Sequence, residues 1–295
     1  MDSISNRRAI TAEVEYWLSM SAIFFECFHI KKDPGPSWFF VNELLTHADG
    51  TCTVGMAADA LQDAGVARTK PPSDITKYSK HLRVLELLDI PEAALAGSRV
   101  FSVDTILTVT PKMESAVSIY MRRFLSKLFE PKIPDNLHET PRFVMTTIYK
   151  FMQSTYIPKW EGFLRHIAQI ATAKTTGSDT PIFGKLRGSS EIYVLLLKLW
   201  ESRLNGDDKL GFTVEELQDM HPRILVSSLS ALIDRTSFLK NIGVIHNVAK
   251  PDDGSERFSL VEKFYPAFEL YAPEFVNMRN MLRSYLQLHV PRLAE

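Results

Sequence analysis

Lys77, Lys80 and Arg83 recur every third residue in Asp74-Ile75-Thr76-Lys77-Tyr78-Ser79-Lys80-His81-Leu82-Arg83. At helical spacing Tyr78, Leu82 and Leu85 face one way, which leaves Thr76, Lys77, Ser79, Lys80 and Arg83 for solvent or a ligand. Such a set can neutralise phosphates, and Lys or Arg can donate to guanine acceptors in a groove about 12 Å wide. The second half offers a more neutral counterpart. There Arg223, Ser227 and Ser228 lie off the apolar face made by Leu225, Leu229, Leu232 and Leu239, and Lys250 and Arg257 flank a polar loop. The latter two could reach a phosphate backbone or a narrow minor groove. A Lys/Ser face is more commonly just solvated, so these ten residues bind DNA only if the surrounding elements present them to a duplex.

Catalytic spacing is missing. The sequence has no GxGxxG, no GxxxxGK followed by Ser or Thr, no HExxH and no GxSxG, and its 8 histidines show no ligand-like pairing. The expectation is a protein that catalyses nothing and carries no cofactor and no metal. Cys27 and Cys52 lack the CxxC spacing of a zinc or redox site, and two cysteines make no disulfide framework, so a reducing compartment is expected.

The elements that would position these residues follow from periodicity and punctuation. Breaks fall at Asp33-Pro34-Gly35-Pro36, at Glu130-Pro131-Lys132-Ile133-Pro134-Asp135 and at residues 175–181. The middle one sets the expected domains, residues 1–132 and 133–295. Between the breaks most segments repeat at helical spacing, and strand signals are confined to Arg99–Thr110, Gly243–Val248 and Arg257–Leu260.

One succession of signals occurs twice. In the first half a helix over Ser37–His47 precedes the turn Asp49-Gly50, an extended Thr51-Cys52-Thr53-Val54, a small helix near Met56–Gln62, a helix over Ser73–Leu88 and the strands at 99–110. In the second a helix over Glu191–Leu204 precedes Asn205-Gly206-Asp207-Asp208, an extended Leu210-Gly211-Phe212-Thr213, a small helix over Glu215–Met220, a helix over Arg223–Leu239 and strands at 243–260. Long helices, Glu114–Phe129 and Glu262–Leu288, close the halves. The repeat rests on order and spacing, since identity between the halves is low.

This is the order of a winged helix-turn-helix. The fold class expected is mainly α with short β-hairpins, as two winged helix-turn-helix repeats joined by long helices. Residues 189–265 resemble the MarR family of transcription regulators: a long helix ends at Asn241-Ile242-Gly243, a loop carries Asp252, Asp253 and Arg257, and Leu260-Val261-Glu262-Lys263 opens the next helix. Residues 37–122 carry the likeness more faintly, because Pro91–Gly97 intervenes between helix and strands and Asp104-Thr105 offers only a minimal turn, so that the first wing is expected to be short or absent. The resemblance implies a regulator that binds double-stranded DNA. It also implies either a homodimer or, with two copies in one chain, a monomeric pseudo-dimer. A small-molecule effector is a further implied partner, for which Tyr16, Trp17, Phe24, Phe25, Phe28, Trp38, Phe39 and Phe40 could line a pocket; plain core packing is the competing and better supported reading of that stripe.

Composition limits the partners. With 34 Lys and Arg against 35 Asp and Glu the net charge is -1, so a DNA surface must be a local patch. At 45% hydrophobic and 23% charged residues, the 295-residue chain reads as globular, not disordered. Arg7 and Arg8 before the apolar run Trp17–Ile30 mimic a signal peptide, but Glu13, Glu15 and Glu26 interrupt the pattern and the run is short for a membrane span. A buried helix in a cytoplasmic protein that engages no membrane is expected. Two rival functions share this fold: a plasmid or phage replication initiator with tandem winged helices, and a winged-helix adaptor that binds protein instead of DNA.

Overall fold

The computed structural model describes residues 3–30, 36–47, 49–64, 71–97, 99–129, 141–172, 179–206, 211–216, 229–248 and 256–290. It is mainly helical with small antiparallel sheets. Two compact units emerge, one of residues 1–19 and 158–279 and one of residues 20–157 and 280–295. The expected boundary at 132/133 falls among residues outside the description, and the helices on either side of it pack together within one unit. Among the described residues no helix is long and apolar enough to cross a membrane.

The helix α1 (Ser3–Phe28) opens the chain. In the unit of residues 20–157, α2 (Pro36–Thr46) leads through an Asp49-Gly50 turn to β1 (Thr51–Thr53), α3 (Val54–Asp63) and α4 (Pro71–Val84). Asp49 fixes the turn by accepting from the Thr51 amide at 3.0 Å and the Thr51 hydroxyl at 2.6 Å, while Gly50 adopts φ 69°. Thr53 then caps α3, its Oγ1 accepting from the Met56 amide at 3.1 Å. After α4 come β2 (Leu88–Asp89), the short α5 (Glu92–Gly97), β3 (Ile106–Val109) and α6 (Pro111–Phe129). The sheet order is β1-β3-β2, antiparallel throughout, with Cys52 opposite Leu107 and Leu88 opposite Val109. The strand signal at 99–110 thus resolves into one short strand between two partners. Phe24, Phe28, Trp38, Tyr120 and Phe124 form the buried aromatic centre of this unit, with ring centroids 4.8 to 6.5 Å apart.

From Pro141 to Thr172 the chain is helical without a break, as α7 (Pro141–Phe151), a π turn (Met152–Tyr156) and α8 (Ile157–Thr172). Pro158 has no amide and would crowd the carbonyl four residues back, and the widened turn ahead of it accommodates that loss.

In the other unit α9 (Thr180–Arg187) and α10 (Ser190–Asn205) precede a bridge at Phe212 and a helical turn at residues 214–216. α11 (Leu229–Asn241), β4 (Ile245–Asn247), β5 (Phe258–Leu260) and α12 (Tyr265–Val276) follow, with a 3-10 turn over Glu262–Phe264. The long closing helix expected over 262–288 is divided: α12 carries Pro273 inside it, and α13 (Met278–His289) begins anew after Asn277, with residues 280–289 counted in the unit of residues 20–157 and 280–295. Trp160, Phe163, Trp200, Phe268 and Phe275 make this unit's aromatic core.

The two units repeat one backbone pattern. Phe212 bridges Phe258, and β5 pairs with β4, giving the order Phe212-β5-β4 that matches β1-β3-β2. Thr213 caps its helical turn as Thr53 does, accepting from the Glu216 amide at 3.0 Å while Glu216 accepts from the Thr213 amide. The helix ends agree bond for bond. Leu87 donates to Leu82 O and Val244 to Leu239 O, both at 2.9 Å, and Thr110 donates to Leu87 O as Val261 does to Val244 O.

Candidate nucleic-acid interface

The solvent face of α4 begins with its packing. Ile75, Tyr78 and Leu82 are buried, which turns Lys77, Lys80, His81, Arg83 and Val84 outward. On a wheel at about 100° per residue the four basic side chains span roughly 160°. Lys77 makes no ion pair with a described residue. Lys80 lies over the Phe101 ring at 5.3 Å from its centroid, and Arg83 approaches Glu92 of α5 at 3.6 Å with both side chains exposed. Such a pair exchanges readily for another anion, since exposed pairs contribute at most about 1 kcal/mol.

Two residues expected on this face are not there. Thr76 is 2% exposed: its hydroxyl donates to Pro72 O at 2.7 Å and accepts from the Phe101 amide at 2.9 Å. Ser79 is fully buried on the core side. Neither can touch phosphate. The wheel places Thr76 between Lys80 and Arg83, but the segment leading to β3 lays Phe101 over it.

In the second unit Arg223, Ser227, Ser228 and Lys250 lie outside the described residues. Arg257 is described and is turned inward: its guanidinium donates to both carboxylate oxygens of Glu216, at 2.8 and 3.1 Å, and to Gly211 O at 3.3 Å. It ties β5 to the start of the capped helical turn and is not presented to a ligand. The exposed face of α11 mixes Ile233, Asp234, Arg235, Ser237 and Lys240, and Lys240 is paired with Glu256 at 2.9 Å. A cleft of about 320 Å³ opens beside that pair, lined by Val214, Thr236, Lys240 and Phe258 among others.

The aromatic stripe of the first helices packs as core. Tyr16, Trp17, Phe24, Phe28, Trp38, Phe39 and Phe40 are all buried, and the space beside Trp38 and Phe39 is about 10 Å³, room for a single water. Glu43, His47 and Cys52 do converge, although Cys52 lacks CxxC spacing: their ligand atoms lie within 4.8 Å of one another. The signal was a Glu and a His four apart on a helix, with a Cys five residues on across a turn.

No protein-family model matches the sequence, and neither a curated protein nor a solved structure matches it.

Proposed function

We propose that the chain is a regulator that binds double-stranded DNA through two winged helix-turn-helix repeats in one polypeptide, with α4 as the helix that enters the major groove. The observation that carries this reading is the exposure of Lys77, Lys80 and Arg83 on one arc of α4 while Ile75, Tyr78 and Leu82 hold the opposite face in the core. The antiparallel order β1-β3-β2 around that helix, with its counterpart in the other unit, supports the fold assignment. The mixed charge on α11 supports an asymmetric target, in which the first repeat supplies most of the phosphate contacts. The test is fluorescence anisotropy on a labelled duplex across a salt series. Log affinity should fall linearly with log salt, with a slope of about -2 to -3 if these three cations neutralise phosphates. A flat response, or no duplex binding at low salt, removes the reading.

A second reading has its own support. Met56, Val103 and Ile106 are exposed around the β1–β3 pair, where the Gly55 amide donates to Val103 O at 2.8 Å. An apolar patch there suits a protein-docking adaptor. Salt-independent behaviour in the same series would favour it.

A further inference from the structure

Glu43 and His47 sit one helical turn apart near the end of α2, and Cys52 follows on β1 after the Asp49-Gly50 turn. His47 Nε2 lies 3.0 Å from Glu43 Oε1, both side chains about a fifth exposed, and the buried Cys52 Sγ completes a triangle with no separation above 4.8 Å. A tetrahedral zinc ion bound by one oxygen, one nitrogen and one sulfur needs those atoms about 3.3 to 3.6 Å apart. The Glu–His separation is already near that figure, and side-chain rotation of about 1 Å closes the rest. We propose that Glu43, His47 and Cys52 form a binding site for a zinc-class divalent cation, with an open fourth position for water.

The donor set selects the metal class. A thiolate beside an imidazole favours zinc over magnesium or calcium, which take oxygen ligands, and three protein ligands leave one position free. Without metal each group has a weaker partner: Cys52 Sγ donates to Thr53 O at 3.3 Å, and His47 faces Glu43. A thiol ligates such a cation only as the thiolate, so Cys52 gives up its proton when the cation arrives. Binding therefore releases one proton from Cys52 to solvent and exchanges the Cys52–Thr53 and Glu43–His47 hydrogen bonds for metal bonds. The site stands independently of the DNA reading, since none of its residues belongs to the α4 face.

The experiment is titration of the full chain with Co2+, followed by competition with Zn2+. One equivalent should produce a thiolate-to-metal charge-transfer band that Zn2+ then abolishes. The band should persist in Cys27→Ser and be lost in Cys52→Ser. His47→Gln and Glu43→Gln, substitutions on half-buried positions, should each weaken Co2+ binding at least tenfold with unchanged far-ultraviolet circular dichroism. Absence of a stoichiometric band, a band that survives in Cys52→Ser, or unaltered affinity in the His47 variant overturns the site. Should Cys52→Ser fail to fold, the His47 and Glu43 variants decide the matter.

Discussion

Glu86 and Gly243 occupy the same left-handed backbone position in the two units, at φ 59° and 70°, each in the turn between a helix and its first following strand. Their amides make the same bond, Glu86 to Arg83 O at 2.8 Å and Gly243 to Lys240 O at 2.9 Å. A non-glycine residue there carries a cost of about 1 to 2 kcal/mol. The first unit offsets it locally: the Thr110 hydroxyl donates to Glu86 O at 2.6 Å, and Lys112 pairs with the Glu86 carboxylate. In the second unit Val261 stands where Thr110 does and has no hydroxyl to give, so glycine takes the turn.

That comparison predicts opposite signs for two substitutions. Gly243→Ala should lower stability by about 1 kcal/mol, a purely conformational effect, because a Cβ there would meet only Lys263 Nζ at 3.5 Å. Glu86→Gly should raise stability by up to about 0.5 kcal/mol, since relief of the left-handed strain outweighs an exposed ion pair. Urea denaturation of both variants checks this, and equal destabilisation would show that the turns are not equivalent.

If α4 enters a groove, its cations should separate by role. Lys77→Ala and Lys80→Ala should each weaken binding to any duplex and shift the salt slope by about 1. Arg83→Ala should relax preference at a single base position by roughly 1 to 3 kcal/mol. Anisotropy on a panel of single-base variants of the best site reads both effects. Three variants with parental affinity and slope would remove α4 from the interface.

The order of elements was legible because it rests on local signals: the turn at Asp49-Gly50, the helix end at Asn241-Ile242-Gly243, and apolar residues at helical spacing along α4 and α10. What misled was long-range. Thr76 reads as exposed by its place on the wheel, and only the approach of Phe101, 25 residues later, buries it. Arg257 reads as a loop cation, and only Glu216, 41 residues earlier, turns it inward. Glu13 looked like an interruption in an apolar run, whereas it is a buried acid with assigned donors. No window of sequence short enough to show periodicity contains such pairs.

The inward turn of Arg257 has a measurable consequence. Arg257→Ala should destabilise its unit while leaving the salt slope for duplex binding unchanged. With Glu216 nearly half exposed, a double-mutant cycle with Glu216→Ala should give a coupling of about 1 kcal/mol. Arg257→Lys should restore only part of it: the contacts to Glu216 and Gly211 O converge on the single Nη2 atom, and an ammonium on a shorter side chain keeps the charge but not that position. A coupling near zero, or a lowered salt slope, would return Arg257 to the ligand-binding face.

Glu13 should make stability depend on pH in a direction unusual for a carboxylate. Its Oε1 accepts from the Arg279 amide at 2.8 Å and from Trp17 Nε1 at 3.0 Å, and the side chain is buried. Burial outweighs these bonds and the Arg279 charge, raising the carboxyl from 4.5 to about 7. Between those values the folded protein holds a proton that the unfolded chain has released, so stability falls as pH rises from about 4.5 and levels off above about 7. The loss amounts to at most about 3 kcal/mol. Glu13→Gln keeps an oxygen for both donors but cannot ionise, so its stability advantage over the parent should be small near pH 4.5, grow through neutrality and stay constant above it. Urea melts of the two proteins at pH 5, 6, 7 and 8 measure that gap, and a gap that does not change with pH would mean that Glu13 is already ionised in the folded chain throughout this range.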